Sequence, residues 1–179
     1  MRLGYSQTMI DLRERSPWEV LSGLAADDGR LPASWRGRPG SFAALMALYD
    51  SNHLRLERLA GDLRSLADQR RSRVVDDCDL ELRVLERSPY TTQLELTYLF
   101  GAEHDTPSAP DMLLCVYHDA RLVEVRGWAP RHDHPVLRDW RAAAGPALDE
   151  RWARNMMLNK WLEYCLERGH RLFGPDAAP

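Results

Sequence analysis

Apolar residues recur every three or four positions in the first part of the chain and every second position in its middle, so helix and strand territories separate on pattern alone. Phe42, Leu45, Met46, Tyr49, His53, Leu56, Ala60, Leu63 and Leu66 fall on one helical stripe behind Ser41, a residue type that caps helix starts. The stripe predicts a core-facing helix over 41–66, interrupted near Gly61, where glycine weakens a continuous rod. His53 lies on it, which reads as a hydrogen-bonded core histidine. From Val74 the period becomes two. Cys78, Leu80, Leu82 and Val84 alternate with Asp77, Asp79, Glu81 and Arg83, the pattern of a strand with one wet face. Residues 86–90 make a turn, and Thr92, Leu94, Leu96, Tyr98 and Phe100 mark the return strand.

The stretch from Met112 to Trp128 reads as a hairpin. With Asp119 and Ala120 as its turn, His118 faces Arg121, Val116 faces Val123 and Leu114 faces Val125, giving one wholly aliphatic side. Leu113, Cys115 and Tyr117 then stand opposite Arg126, Glu124 and Leu122 on the mixed side. Pro130, Pro135 and Pro146 exclude a long helix across the next segment. Asp149 caps a terminal helix over 149–168, in which Trp152, Met156, Leu158, Trp161, Leu162, Cys165 and Leu166 form a wide apolar face and Gly169 is the stop. The expected fold is α+β: a four-stranded antiparallel β-meander packed against a long N-terminal helix and a C-terminal helix. Three regions are expected: an N-terminal extension over 1–40, partly ordered, with a short helix opened by Ser16 and Pro17; a single α+β domain over 41–173; and a disordered tail over 174–179.

Composition narrows the setting. The chain has 179 residues, 44% hydrophobic and 28% charged, which suits one soluble domain. A net charge of −3, with both signs interspersed, gives no field for nucleic acid or an anionic membrane. No apolar run approaches the roughly 20 residues of a membrane span, and the first residues lack the apolar core of a signal peptide, so a cytoplasmic location is expected. Cys78, Cys115 and Cys165 sit among apolar neighbours without disulfide or zinc-ribbon spacing, and read as buried thiols.

Three stretches carry a family resemblance: residues 88–92, Ser-Pro-Tyr-Thr-Thr; Tyr117 to Ala120 with Val123, Glu124 and Val125; and Asp149, Glu150 and Arg151 leading to Asn155, Leu158, Trp161, Leu162, Tyr164, Cys165 and Leu166. Over about residues 41–170 the chain resembles the YqiB-like family, small bacterial proteins of unknown function. The resemblance implies a fold and a bacterial cytoplasmic setting, and brings no activity or catalytic residues with it. Two regions depart from the family pattern: residues 131–135, Arg-His-Asp-His-Pro, where relatives tend to be aromatic-rich, and residues 1–40.

Candidate chemistry is sparse. His104-Asp105, His118-Asp119 and His132-Asp133-His134 combine imidazole and carboxylate, as metal ligands and acid–base pairs do, yet all fall at turns or loops and no HExxH-like spacing fixes two of them on one helix face. No serine or cysteine stands in a nucleophile-elbow pattern, and no phosphate-binding glycine loop occurs. Tyr90, His118, Asp119, Asp149, Glu150, Arg151 and Asn155 form the polar set proposed as a ligand or partner surface. The reading adopted is a cytoplasmic, non-enzymatic protein-binding or regulatory module without a cofactor. It would act through a protein partner, with a homodimer suggested by the Trp and Met content of the terminal helix. The alternative is a small-molecule-binding or metal-assisted hydrolytic protein with His132, Asp133 and His134 as metal ligands.

Overall fold

Ser41 does cap the first helix. Its hydroxyl accepts from the Ala44 N–H at 3.2 Å, and its carbonyl accepts from Leu45 at 3.0 Å. The computed structural model describes residues 41–100, 108–129 and 147–174. Within them lie α1 (Phe42–Ala60), β1 (Gln69–Ser72), β2 (Asp79–Arg87), β3 (Thr91–Leu99), β4 (Ser108–Tyr117), β5 (Leu122–Trp128) and α2 (Ala147–Arg168).

The strands form one antiparallel sheet in the order β1-β2-β3-β4-β5, so the meander has five strands and not four. The added strand, β1, reads Gln-Arg-Arg-Ser and has no apolar alternation; what holds it is pairing with β2, from Gln69 opposite Arg83 to Ser72 opposite Leu80. As an edge it is short and charged, which blunts further pairing.

The hairpin register agrees with its pattern at Val116–Val123, Leu114–Val125, Cys115–Glu124 and Tyr117–Leu122. The ladder ends at that last pair, which leaves residues 118–121 as a four-residue turn with Arg121 at φ 53°. Past Leu114 a bulge skips Arg126, so Leu113 faces Gly127 and not Arg126.

One sheet face carries Leu80, Leu82, Leu94, Leu96, Met112, Leu114, Val116, Val123 and Val125 into a core shared with Leu56, Leu59, Leu158, Trp161, Leu162 and Cys165 of the two helices. A second cluster of Leu45, Leu48 and Tyr49 packs with Leu122, Trp152 and Met156. Phe42, expected on the core stripe, is exposed; Leu48, Asn52 and Leu59 are buried there instead. The other sheet face is drier than its alternation suggested. Glu81 is fully buried: its carboxylate takes Gln69 Nε2 at 2.7 Å and Arg71 at 2.8 Å on one oxygen, and Arg83 at 2.5 Å on the other. Glu95, Thr97 and Glu124 on that face are buried too.

α1 ends at Ala60, where Gly61 (φ 79°) returns its N–H to the Glu57 carbonyl at 2.8 Å. Leu63 and Leu66 are buried beyond the helix and not on it. α2 starts at Ala147, two residues before the expected cap, and closes at Gly169 (φ 90°), where the His170 N–H reaches the Cys165 carbonyl at 2.9 Å. No helix among the described residues is long and apolar enough to cross a membrane.

Candidate functional site

The two helices are joined by buried asparagines. Asn155 Oδ1 accepts from the Val125 N–H of edge strand β5 at 2.9 Å and from Asn52 Nδ2 at 3.3 Å, while its own Nδ2 donates to the Arg151 carbonyl at 2.8 Å. Asn159 Nδ2 then donates to Asn52 Oδ1 at 2.9 Å and lies 3.0 Å from Ser51 Oγ. All three asparagines are buried. Every amide answers a neighbour, so the network positions helices and offers little to a ligand.

A second buried cluster has the composition of a hydrolytic triad. His170 sits between Ser72, with Oγ 3.1 Å from Nδ1, and Asp77, with Oδ2 3.2 Å from Nε2. Its wiring is inverted, since a triad serine faces Nε2 and the carboxylate Nδ1. Ser72 is only 3% exposed, and its Oγ accepts from the Arg171 N–H at 2.9 Å. Asp77 also receives the Cys78 N–H at 2.8 Å and Arg168 Nε at 3.3 Å. A substrate carbonyl has no route to that oxygen, so the cluster fastens the segment after α2 to β1.

An open cleft lies at the sheet end that carries the 88–90 and 118–121 turns. The last turns of α1 contribute His53 and Glu57, the following turn Asp62, Leu63 and Arg64, and the β4–β5 turn His118 and Arg121, around a volume of about 160 Å³. His118 donates its backbone N–H to the Tyr90 carbonyl at 2.9 Å and sets Nε2 2.8 Å from Thr92 Oγ1, which fixes the ring and leaves Nδ1. His53 is 5% exposed, and its Nδ1 is buried without a hydrogen-bond partner.

Burial lowers the His53 pKa, with Arg121 acting the same way against Glu57 and Asp50. Burial also lowers that of His118, helped by Arg64 and His53 and opposed by Asp62 and Asp119. Both rings are therefore neutral near pH 7. Asp62 is lowered by the Arg64 N–H and then the Ser65 hydroxyl, which it accepts at 3.0 and 2.9 Å. Arg121 reaches Glu57 at 3.4 Å, whereas Arg64 has no ion pair among the described residues.

The polar set expected from sequence divides between two places. Tyr90, His118 and Asp119 share the cleft end, with Tyr90 69% exposed. Glu150 pairs with Arg154 on α2, Arg151 is exposed there, and Asn155 belongs to the buried network. Asp149 lies in the first turn of α2, two residues inside its start. His104, Asp105, His132, Asp133 and His134 lie outside the described residues. Among the described residues, no group of three or more His, Cys, Asp or Glu is arranged to hold a metal. The sequence reading missed Glu57, Asp62, Arg64 and Arg121 as cleft residues. They come from two segments some 60 positions apart, and only the sheet's end brings them together.

No curated protein and no solved structure matches the chain. A family model described as protein of unknown function (DUF1249) matches residues 55–171, which takes in every described element except the first part of α1 and the last residues after α2. With well over half of its length matched, the chain belongs to the DUF1249 family of proteins of unknown function.

Proposed function

We propose that the protein is a non-enzymatic binding module that meets its partner with the end formed by residues 61–65, 88–90 and 118–121. The carrying observation is the contrast between where reactive groups and recognition groups lie. Ser72 and the three cysteines are buried, and the Cys165 thiol is pushed far up by burial. The cleft, by contrast, opens beside an exposed Tyr90, and tyrosine is a residue type enriched at interfaces. The partner is a different chain: the apolar face of α2 that suggested a homodimer packs inside, with Leu158, Trp161 and Leu162 in the core. A bacterial cytoplasmic setting belongs to this reading, as the resemblance implies.

Photo-crosslinking in cells tests it. A photoreactive phenylalanine at position 90 is expected to give one adduct of defined mass. Val75, 82% exposed in the β1–β2 connection at the other sheet end, is the control position, and the same probe there is expected to give none. Adducts from 75 and not from 90 would overturn the assignment.

A further inference from the structure

The cleft's donors point to the group it takes. We infer that it binds one tetrahedral oxyanionic group, a phosphate or sulfate, held by Arg64, Arg121 and His53, with His118 taking up a proton as the anion enters. This rests on the binding reading and names its ligand chemistry.

Size comes first. At about 160 Å³ the cleft is well below the roughly 300–1,000 Å³ of pockets for drug-sized ligands, so it suits a single group. Donor supply comes next. The Arg64 guanidinium makes no salt bridge among the described residues, although its charge helps lower Asp62 in the same cleft, and the 3.4 Å contact of Arg121 with Glu57 is long for an ion pair and readily exchanged. A buried N–H without an acceptor is rarer and costlier than a buried lone pair, so the neutral His53 ring is best accommodated with its lone pair on Nδ1 and its N–H on Nε2. Donors from three segments converge, which suits a group with several acceptor oxygens better than a planar carboxylate.

His118 supplies the proton coupling. The Thr92 hydroxyl serves as donor or acceptor, so the 2.8 Å contact to Nε2 survives protonation and Nδ1 becomes a second cationic donor. Burial, Arg64 and His53 keep the ring neutral; Asp62 and Asp119 favour the charged form, and Glu57, Arg121 and Asp50 act on the adjoining His53. A dianion between Arg64 and His118 reverses the balance. Because the ring's pKa is higher in the bound state, binding tightens as pH falls toward the free-state value.

Sulfate is the probe, because it stays a dianion across the range where imidazole titrates. The His118 titration followed by NMR is expected to shift upward by about half a pH unit or more with sulfate, relative to chloride at matched ionic strength. Glu57→Gln releases Arg121 and is expected to tighten sulfate about two- to fivefold, while Arg64→Ala with Arg121→Ala abolishes the shift. An unmoved midpoint, or one moved equally in the double variant, overturns the proposal. Acetate moving the midpoint as far as sulfate overturns the tetrahedral assignment. Methyl phosphate binding at least as well as inorganic phosphate at one pH identifies an ester-borne group on a partner, and the reverse order a free ion. Loss of sulfate binding with the position-90 adduct retained rejects the oxyanion alone; loss of the adduct with sulfate retained rejects the partner surface alone.

Discussion

Asn155 shows how much a single amide does. Truncation at Asn155→Ala leaves the buried Val125 N–H without its acceptor and leaves Asn52 Nδ2 only its 3.4 Å contact with the backbone carbonyl of residue 155, and an unmade buried bond costs about 1–3 kcal/mol. A loss of about 2–4 kcal/mol in urea unfolding with an unchanged denaturant slope is expected; a loss within 0.5 kcal/mol, the range of an indifferent surface site, would show the network idle. Cys165 gives a sharper readout. Its thiol lies 3.2 Å from the Tyr98 hydroxyl in full burial and is held well above its ordinary pKa. Thiolate is the reactive form, so alkylation of Cys165 at pH 8 is expected to track unfolding, mapped by peptide mass; fast labelling of the native chain would contradict the packing. In the sequence, Asn155 stands out through the family resemblance that falls on it, and His118 through its pairing with Asp119. Sequence could not tell a tied amide from an available ring, since the partners of both lie far away in the chain: Asn52 for one, Thr92 for the other.

Periodicity carried the elements with a buried face. The aliphatic side of the hairpin, the β2–β3 pair and the two helices all announced themselves through spacing. β1 did not, because four polar residues at a sheet edge owe their place to Glu81 and to the neighbouring backbone. Helix ends were legible where glycine is required. Gly61, at φ 79° and ψ −149°, occupies a region essentially closed to other residues, and a Cβ there would stand 3.3 Å from Phe173 Cβ. Gly169, at φ 90°, has nothing within 4 Å of the equivalent position. Gly61→Ala is therefore expected to cost about 2–3 kcal/mol and Gly169→Ala about 1–2 kcal/mol, by urea unfolding. Equal losses would mean that the contact with Phe173 yields freely.

Proton linkage acts on the molecule as a whole. His53 and His118 lie below their ordinary pKa when folded, so the unfolded chain binds more protons below about pH 6.5. Their contribution is full above the unfolded value and is lost as pH falls toward the lowered folded values. The urea midpoint is expected to drop between about pH 7.5 and 5.5, and His53→Gln is expected to flatten part of that drop. An identical slope in the variant would remove His53 from the account. With sulfate bound, the His118 share should shrink as well.

The sheet adds its strands in chain order, so each can join the one just made. The core's lid works differently. α1 and α2 come from opposite ends of the described chain, and the Leu172 N–H reaches back to the Leu59 carbonyl at 2.8 Å. During synthesis, then, the meander can assemble on the ribosome while α1 waits with one flank bare, and the structure locks only when Leu172 has left the exit tunnel. A nascent chain stalled before that point would be a natural client for a chaperone.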